Sequence, residues 1–156
     1  MDAAEQKAMA DIAKYGCHVI CVLAEKNLPP FGYSVGIQRS TGCPEVVVIG
    51  LKHPLAHSII NVYNKRVRAG EKFVAGQFYS DFIGNFDVTF EKVHPKHYEN
   101  YFGWDRWLYN GNEFDVVQLI YPTTEGIWPW DEKASEGFRA WQPLLTETGQ
   151  SGFFTS

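Results

Sequence analysis

The chain has 156 residues, of which 45% are hydrophobic and 21% are charged, and its formal net charge is −4. This size and composition are typical of one globular domain, while the acidic balance argues against nonspecific nucleic-acid binding, which needs clustered lysine and arginine. No apolar run reaches the ~20 residues that cross a bilayer, and the N-terminal segment is too polar for a signal peptide. Three cysteines without a C-x-x-C pair favour a reducing compartment. We therefore expect a cytoplasmic protein without a membrane span.

In chain order, the hydrophobic pattern predicts helices that alternate with strands. Asp2 is placed to cap the first helix and Gly16 to end it. Pro54 lies in the first turn of the second helix, where its missing N–H costs nothing. The predicted helices are residues 2–15, 53–70, 95–109 and 135–141. The predicted strands are residues 17–24, 31–36, 46–51, 72–79, 86–93 and 114–121.

The strand at residues 46–51 is apolar on both faces, which predicts a central position covered from two sides. The strand at residues 86–93 alternates apolar and polar side chains, as a half-buried strand does. We predict an α+β domain: a curled, mostly antiparallel sheet of five or six strands with two or three packed helices. The architecture that we favour is a partly closed, split-barrel-like sheet. One domain is expected over residues 1–145, followed by a polar tail over residues 146–156.

The common catalytic signatures are missing from the sequence. There is no G-x-S-x-G, no phosphate-cradling G-x-x-x-x-G-K and no G-x-G-x-x-G. His53 and His57 stand at i and i+4 on a predicted helix, a spacing that can present two imidazoles to one metal, but no third ligand is evident. Cys43 lies beside Glu45, and a neighbouring carboxylate does not activate a thiol. We predict no metal site, and no catalytic residue can be assigned.

Three polar residues lie in unexpectedly apolar surroundings. Glu45 opens the apolar run of the central strand, Arg66 borders the apolar stripe of the second helix, and Gln118 alternates with core residues of the last strand. A buried amide without a partner costs about 1–3 kcal/mol, so such groups persist because they bond to backbone, to one another or to a ligand. Tryptophans and tyrosines are abundant in the second half of the chain and suit pocket walls as well as cores.

Several motifs in order resemble a bacterial family known as domain of unknown function 4262. The motifs, written as they stand in this sequence, are Phe31-Gly32-Tyr33-Ser34-Val35-Gly36, Gly42-Cys43-Pro44-Glu45, the strand at 46–51, the helix end at 67–70, and the segments 118–122, 126–130 and 142–145. The resemblance covers roughly residues 10–145. Cys43 replaces the usual His of the family, and Thr123 stands where an Asp often follows the Pro. The resemblance implies a shared fold and site but carries no activity.

We interpret the chain as a binding module that recognises a partner protein or a small molecule. The binding rim is predicted to form where residues 33–36, 44–45 and 128–130 converge. The candidate contacts are Tyr33, Ser34, Gly36, Cys43, Glu45, Arg66, Gln118, Trp128 and Trp130. The alternative is a flavin- or nucleotide-dependent enzyme on a split-barrel-like fold, with Arg66 and loop amides at the phosphate, an analogy of fold alone. The cofactor, the oligomeric state and the presence of a reaction stay open at this point.

Overall fold

The computed structural model describes residues 1–155 of the chain. The strands are β1 (His18–Val22), β2 (Phe31–Val35), β3 (Glu45–Ile49), β4 (Phe78–Ile83), β5 (Phe86–Lys92) and β6 (Val116–Ile120). The α-helices are α1 (Ala3–Tyr15), α2 (Ile37–Thr41), α3 (His53–Arg68), α4 (Tyr98–Tyr101), α5 (Gly103–Tyr109) and α6 (Glu136–Trp141). A 3₁₀ turn at Pro95–His97 precedes α4. None of the helices in this described part is both long and apolar enough to cross a membrane.

The six strands form one sheet in the order β1-β2-β3-β6-β5-β4. Every neighbouring pair is antiparallel except β3 and β6, which run parallel, with Glu45 opposite Val116. The predicted α+β class with a six-stranded, mostly antiparallel sheet is confirmed. The favoured split barrel is not formed, because β1 and β4 are the two edges of the described sheet and do not pair with each other.

The open sheet follows from the way its two faces are covered. On one face, α3 packs Ile59, Ile60 and Tyr63 against Val46 and Val48 of β3. On the other face, the core cluster gathers Ile12 of α1, Tyr33 and Val35 of β2, Val47 and Ile49 of β3, Tyr98 of α4 and Phe102. Both apolar faces are therefore buried without closure into a barrel. All five residues of β3 are buried, which confirms the prediction of a central strand covered from two sides.

Three predicted elements differ from the structure. No element is predicted between the strands at residues 31–36 and 46–51, but the short helix α2 lies there and starts after Gly36, which has φ 107°. The predicted helix over residues 95–109 is divided at Phe102, whose φ of −119° and ψ of 48° are not helical. The predicted strand over residues 72–79 lies later in the chain as β4, and its register with β5 is shifted around Asp81, which has φ 70°.

The C-terminal residues pack back onto the sheet. Glu91 of β5 is buried and accepts hydrogen bonds from the Ser151 hydroxyl at 2.6 Å and from the Gly152 N–H at 2.7 Å. Phe154 stacks on Trp130 with ring centroids 4.6 Å apart. The segment expected to be a polar tail thus contributes an apolar ring and two donors to the packed structure, up to the last described residue.

Candidate functional site

Glu45, a candidate contact from the sequence, is a buried carboxylate at the start of β3. The Ser34 hydroxyl donates to it at 2.7 Å, and the Tyr109 hydroxyl donates at 2.5 Å. Three backbone N–H groups at the start of α2 also donate to it, those of Gly36 at 3.1 Å, Ile37 at 3.0 Å and Gln38 at 3.1 Å. The carboxylate therefore joins β2, α2, β3 and α5.

This contact set leaves Glu45 no capacity for a ligand. A carboxylate offers about four lone-pair sites, and five donors already point at the two oxygens. Burial raises the pKa of Glu45, and the hydrogen bonds from Tyr109, Ser34 and the α2 amides act in the opposite direction. The structure brings Ser34, Gly36 and Glu45 together as expected, but it uses them to hold the N-terminus of α2.

Asp105 faces this carboxylate and was missed by the sequence reasoning. It lies in the first turn of α5, has no exposed surface, and neither of its carboxyl oxygens has a hydrogen-bond partner within residues 1–155. Burial raises the pKa of Asp105 well above its usual range, and the nearby charge of Glu45 raises it further. Its position four residues before Tyr109, on one face of α5, is the sequence signal that was available.

Tyr33 and Gln118 make internal hydrogen bonds. The Tyr33 hydroxyl accepts from the Trp104 N–H at 3.2 Å, and its ring packs edge-on against Phe102. The Gln118 amide donates to the Pro143 carbonyl at 2.8 Å and accepts from the Leu145 N–H at 2.9 Å. Gln118 thus ties two backbone segments together, the structural alternative that the sequence had left open.

Arg66 and Cys43 are also engaged in the fold. The Arg66 guanidinium pairs with Glu71 at 2.8 Å, donates to the Ser80 carbonyl, and lies over the rings of Phe73 and Phe82. Cys43 is partly buried against the core cluster on the α3 face. Neither residue lines any of the three cavities described below.

The tryptophan segment lies at the other end of the sheet from Glu45, so the prediction of one rim formed by the three segments is wrong. Glu45 is level with the first residue of β6, whereas Trp128 and Trp130 follow the end of that strand. A five-residue strand separates its two ends by about 15 Å. The physical reason is the parallel pairing of β3 and β6. An antiparallel pairing would have placed the end of β6 beside the start of β3.

Trp128 and Trp130 form an aromatic cluster with Phe78 and Phe154. The two indoles stack at 5.2 Å, Trp128 contacts Phe78, and Trp130 has Phe154 at 4.6 Å on an almost parallel plane. A cavity of about 420 Å³ lies beside Trp130. Arg139 lines it, but donates to the backbone carbonyls of residues 129 and 131. The Arg139 guanidinium at this cavity is therefore already bonded to the backbone.

A second region combines open space with charged and polar side chains. Two adjoining cavities of about 450 and 500 Å³ share Tyr15 and Asn61 and lie between α1, β1 and α3. We call them together the α1–α3 cleft. Its lining residues are Lys7, Asp11, Tyr15, Cys17, His18, Val19, His57, Asn61, Asn64, Lys65, Arg68 and Ala69.

Within the α1–α3 cleft, Asp11 fixes the ring of His18. The Asp11 carboxylate lies 2.7 Å from Nδ1 of His18 and 3.3 Å from Nζ of Lys7. The hydrogen bond with His18 lowers the pKa of Asp11, and Lys7 contributes in the same direction. A carboxylate that holds Nδ1 leaves Nε2 of the same ring for another partner, and Nε2 makes no hydrogen bond within the described residues.

Asn64 supplies a buried acceptor on the wall of the cleft. Its Nδ2 donates to the Tyr15 carbonyl at the end of α1, at 2.9 Å, and this bond fixes which end of the amide is the oxygen. Oδ1 is buried and has no partner among residues 1–155. Arg68 also donates to the Tyr15 carbonyl. The two side chains together satisfy the C-terminal end of α1.

The chemistry of the cleft suits binding better than nucleophilic attack. Burial raises the pKa of the Cys17 thiol to about 12, with the charge of Glu45 as the next contribution, so this thiol stays protonated at neutral pH. Within residues 1–155, no three His, Cys, Asp or Glu side chains are grouped so that they could hold a metal ion.

Comparison with known proteins identifies a family. Residues 11–135 match the family model described as "Domain of unknown function (DUF4262)". The match spans β1 to β6 and most of the α1–α3 cleft, although Lys7 precedes it. No curated protein and no solved structure matches the chain. The match covers far more than half of the 156 residues, and the chain therefore belongs to the DUF4262 family.

Proposed function

We propose that this protein is a binding domain that holds a small anionic molecule in the α1–α3 cleft. The observation that carries the proposal is the charge of the cleft wall. Three cations, Lys7, Lys65 and Arg68, line it against one carboxylate, Asp11, which lies 3.3 Å from Nζ of Lys7. The wall therefore carries two positive charges in excess. This cationic wall belongs to a chain whose net charge is −4. Local charge of one sign in a concave surface concentrates ligands of the other sign.

The hydrogen-bonding groups of the cleft narrow the ligand class. Oδ1 of Asn64 is a buried acceptor and needs a donor from the ligand. The two cavities, at about 450 and 500 Å³, are in the size range of small-molecule sites. The ligand that fits both features carries a carboxylate or phosphate together with an N–H or O–H donor. A small molecule is thus favoured over a partner protein.

The enzymatic alternative rested on two expectations, a split barrel and a free Arg66. A flavin or nucleotide site was expected on a split barrel, and the sheet is open. Arg66 was expected at the phosphate, and it is paired with Glu71. We therefore propose binding without a reaction. A cytoplasmic location remains a prediction, as does the expected lack of nucleic-acid binding, and the oligomeric state stays open.

Calorimetric titration with O-phosphoserine tests the proposal, because this probe combines a phosphate with an ammonium donor. We expect saturable binding that weakens with added salt. Lys65→Ser removes an exposed cation of the cleft, and we expect its affinity to fall about fivefold, the equivalent of roughly 1 kcal/mol. Lys92→Ser makes the same charge change at the end of β5, away from the cleft, and should bind as the wild type does. Absence of saturable binding, or equal losses in both variants, would overturn the proposal.

A further inference from the structure

Asp105 is a buried acid that the proposed binding function does not use. The side chain has no exposed surface, and both carboxyl oxygens are without a hydrogen-bond partner within residues 1–155. Glu45, by contrast, receives five hydrogen bonds. An ionised carboxyl group is poorly tolerated in an apolar interior unless it is paired or hydrogen-bonded. The environment of Asp105 therefore suits the neutral acid.

Within residues 1–155, the titratable groups that interact electrostatically with Asp105 include no cation. They are Glu45 of β3, Tyr33 of β2, Cys17 beside β1, Tyr98 of α4 and Tyr109 of α5. Each of these groups is neutral when protonated and negatively charged when deprotonated, and none becomes positive. From α1, the apolar Ile12 packs into the core cluster that also contains Tyr33 and Tyr98. Loss of the Asp105 proton would thus place a second negative charge beside Glu45.

Asp105 is well placed to control how α5 sits on the sheet. Three hydrogen bonds tie the seven-residue helix to neighbouring elements. The Trp104 N–H donates to the Tyr33 hydroxyl, the Tyr109 hydroxyl donates to Glu45, and the Arg39 N–H donates to the Tyr109 hydroxyl. The helix also starts at the break in regular helix geometry at Phe102. An ionised Asp105 gains solvation when α5 moves away from the sheet, whereas a neutral Asp105 gains little.

We infer that Asp105 is a proton-dependent latch, which keeps α5 seated on the sheet while it is neutral and releases α5 when it ionises. The ring centroids of Trp104 and His18 lie 6.2 Å apart, so release of α5 would also remove the aromatic neighbour of the His18 ring. The latch itself does not depend on any ligand of the α1–α3 cleft.

The direction of the pH dependence follows from proton linkage. Burial and the charge of Glu45 raise the pKa of Asp105, so the closed state keeps a proton that an opened or unfolded state loses. The closed state is therefore favoured by acid, and it loses stability as pH rises from about 4 to the raised pKa of closed Asp105. Within that window the equilibrium constant for opening rises about tenfold per pH unit.

Hydrogen exchange of the α5 amides measures this opening. Intrinsic base-catalysed exchange contributes a slope of 1 to the logarithm of the rate against pH. We therefore expect a slope of about 2 in the wild type from about pH 5 up to the raised pKa of closed Asp105, under conditions where closing outpaces exchange. Asp105→Asn and Asp105→Leu cannot ionise, and both should return the slope to about 1. Asp87→Asn removes an exposed acid on β5 and should behave like the wild type.

A wild-type slope of 1 for α5 would overturn the latch, and so would a slope of 2 that persists in either non-ionisable variant. The wild-type slope decides the matter alone if neither Asp105 variant folds. The measurement needs no ligand, so a failure here leaves the cleft proposal unaffected, and a failure of phosphoserine binding leaves the latch unaffected.

Discussion

Replacing Glu45 with glutamine is expected to lower the free energy of unfolding by about 3 kcal/mol, from the loss of acceptors for at least two buried donors at roughly 1–3 kcal/mol each. The side chains have nearly the same shape, so packing is conserved. The glutamine NH₂ group cannot accept hydrogen bonds, and it would face N–H and O–H donors from β2, α2 and α5.

Urea denaturation at neutral pH measures this loss. Glu113→Gln is the matched control, because Glu113 is exposed, and its effect should stay within about 0.5 kcal/mol. Tyr109→Phe removes one of the five donors and should cost less than Glu45→Gln, about 1–2 kcal/mol. If Glu45→Gln proves as stable as Glu113→Gln, the carboxylate is not the anchor of α2.

Gln118→Leu is the other change with a large expected effect, a loss of about 2–4 kcal/mol. Leucine fills a similar volume but leaves the Pro143 carbonyl and the Leu145 N–H without partners in a buried setting, at about 1–3 kcal/mol each. The same two bonds hold the start of the C-terminal segment on β6. We therefore also expect faster proteolysis after residue 145.

Limited proteolysis followed by mass spectrometry, combined with urea denaturation, tests this second expectation. Gln77→Leu is the control for the amide-to-leucine change, because Gln77 is exposed next to β4. A Gln118→Leu variant with unchanged stability and an unchanged cleavage pattern would show that the amide is not needed by the fold, and it would restore a ligand role for Gln118.

The parts of the fold that could be predicted from sequence are those with a local signal. The apolar run that became β3 and the helical spacing that became α3 both bury a face that any structure of this chain must cover. The polar residues Glu45 and Gln118 were also recognised as unusual, because a polar side chain in an apolar run needs a partner.

The candidate site could not be assembled from the sequence because strand pairing is not a local property. Because β3 and β6 pair in parallel, the tryptophan segment that follows β6 lies at the end of the sheet opposite to Glu45. The partners of Glu45 come from segments as far away as Tyr109, so its saturation could not be counted from the sequence. Similarly, the α1–α3 cleft exists only where two helices distant in sequence meet beside β1.

Heteronuclear NMR during titration with phosphoserine compares the α1–α3 cleft with the tryptophan cavity in one experiment, and so shows directly where the ligand binds. We expect saturable shifts of the imidazole signals of His18 and His57 in the α1–α3 cleft, with the indole N–H signal of Trp130 unchanged. Saturable shifts at Trp130, with the two histidine signals unmoved, would contradict it and place the binding site at the tryptophan cavity.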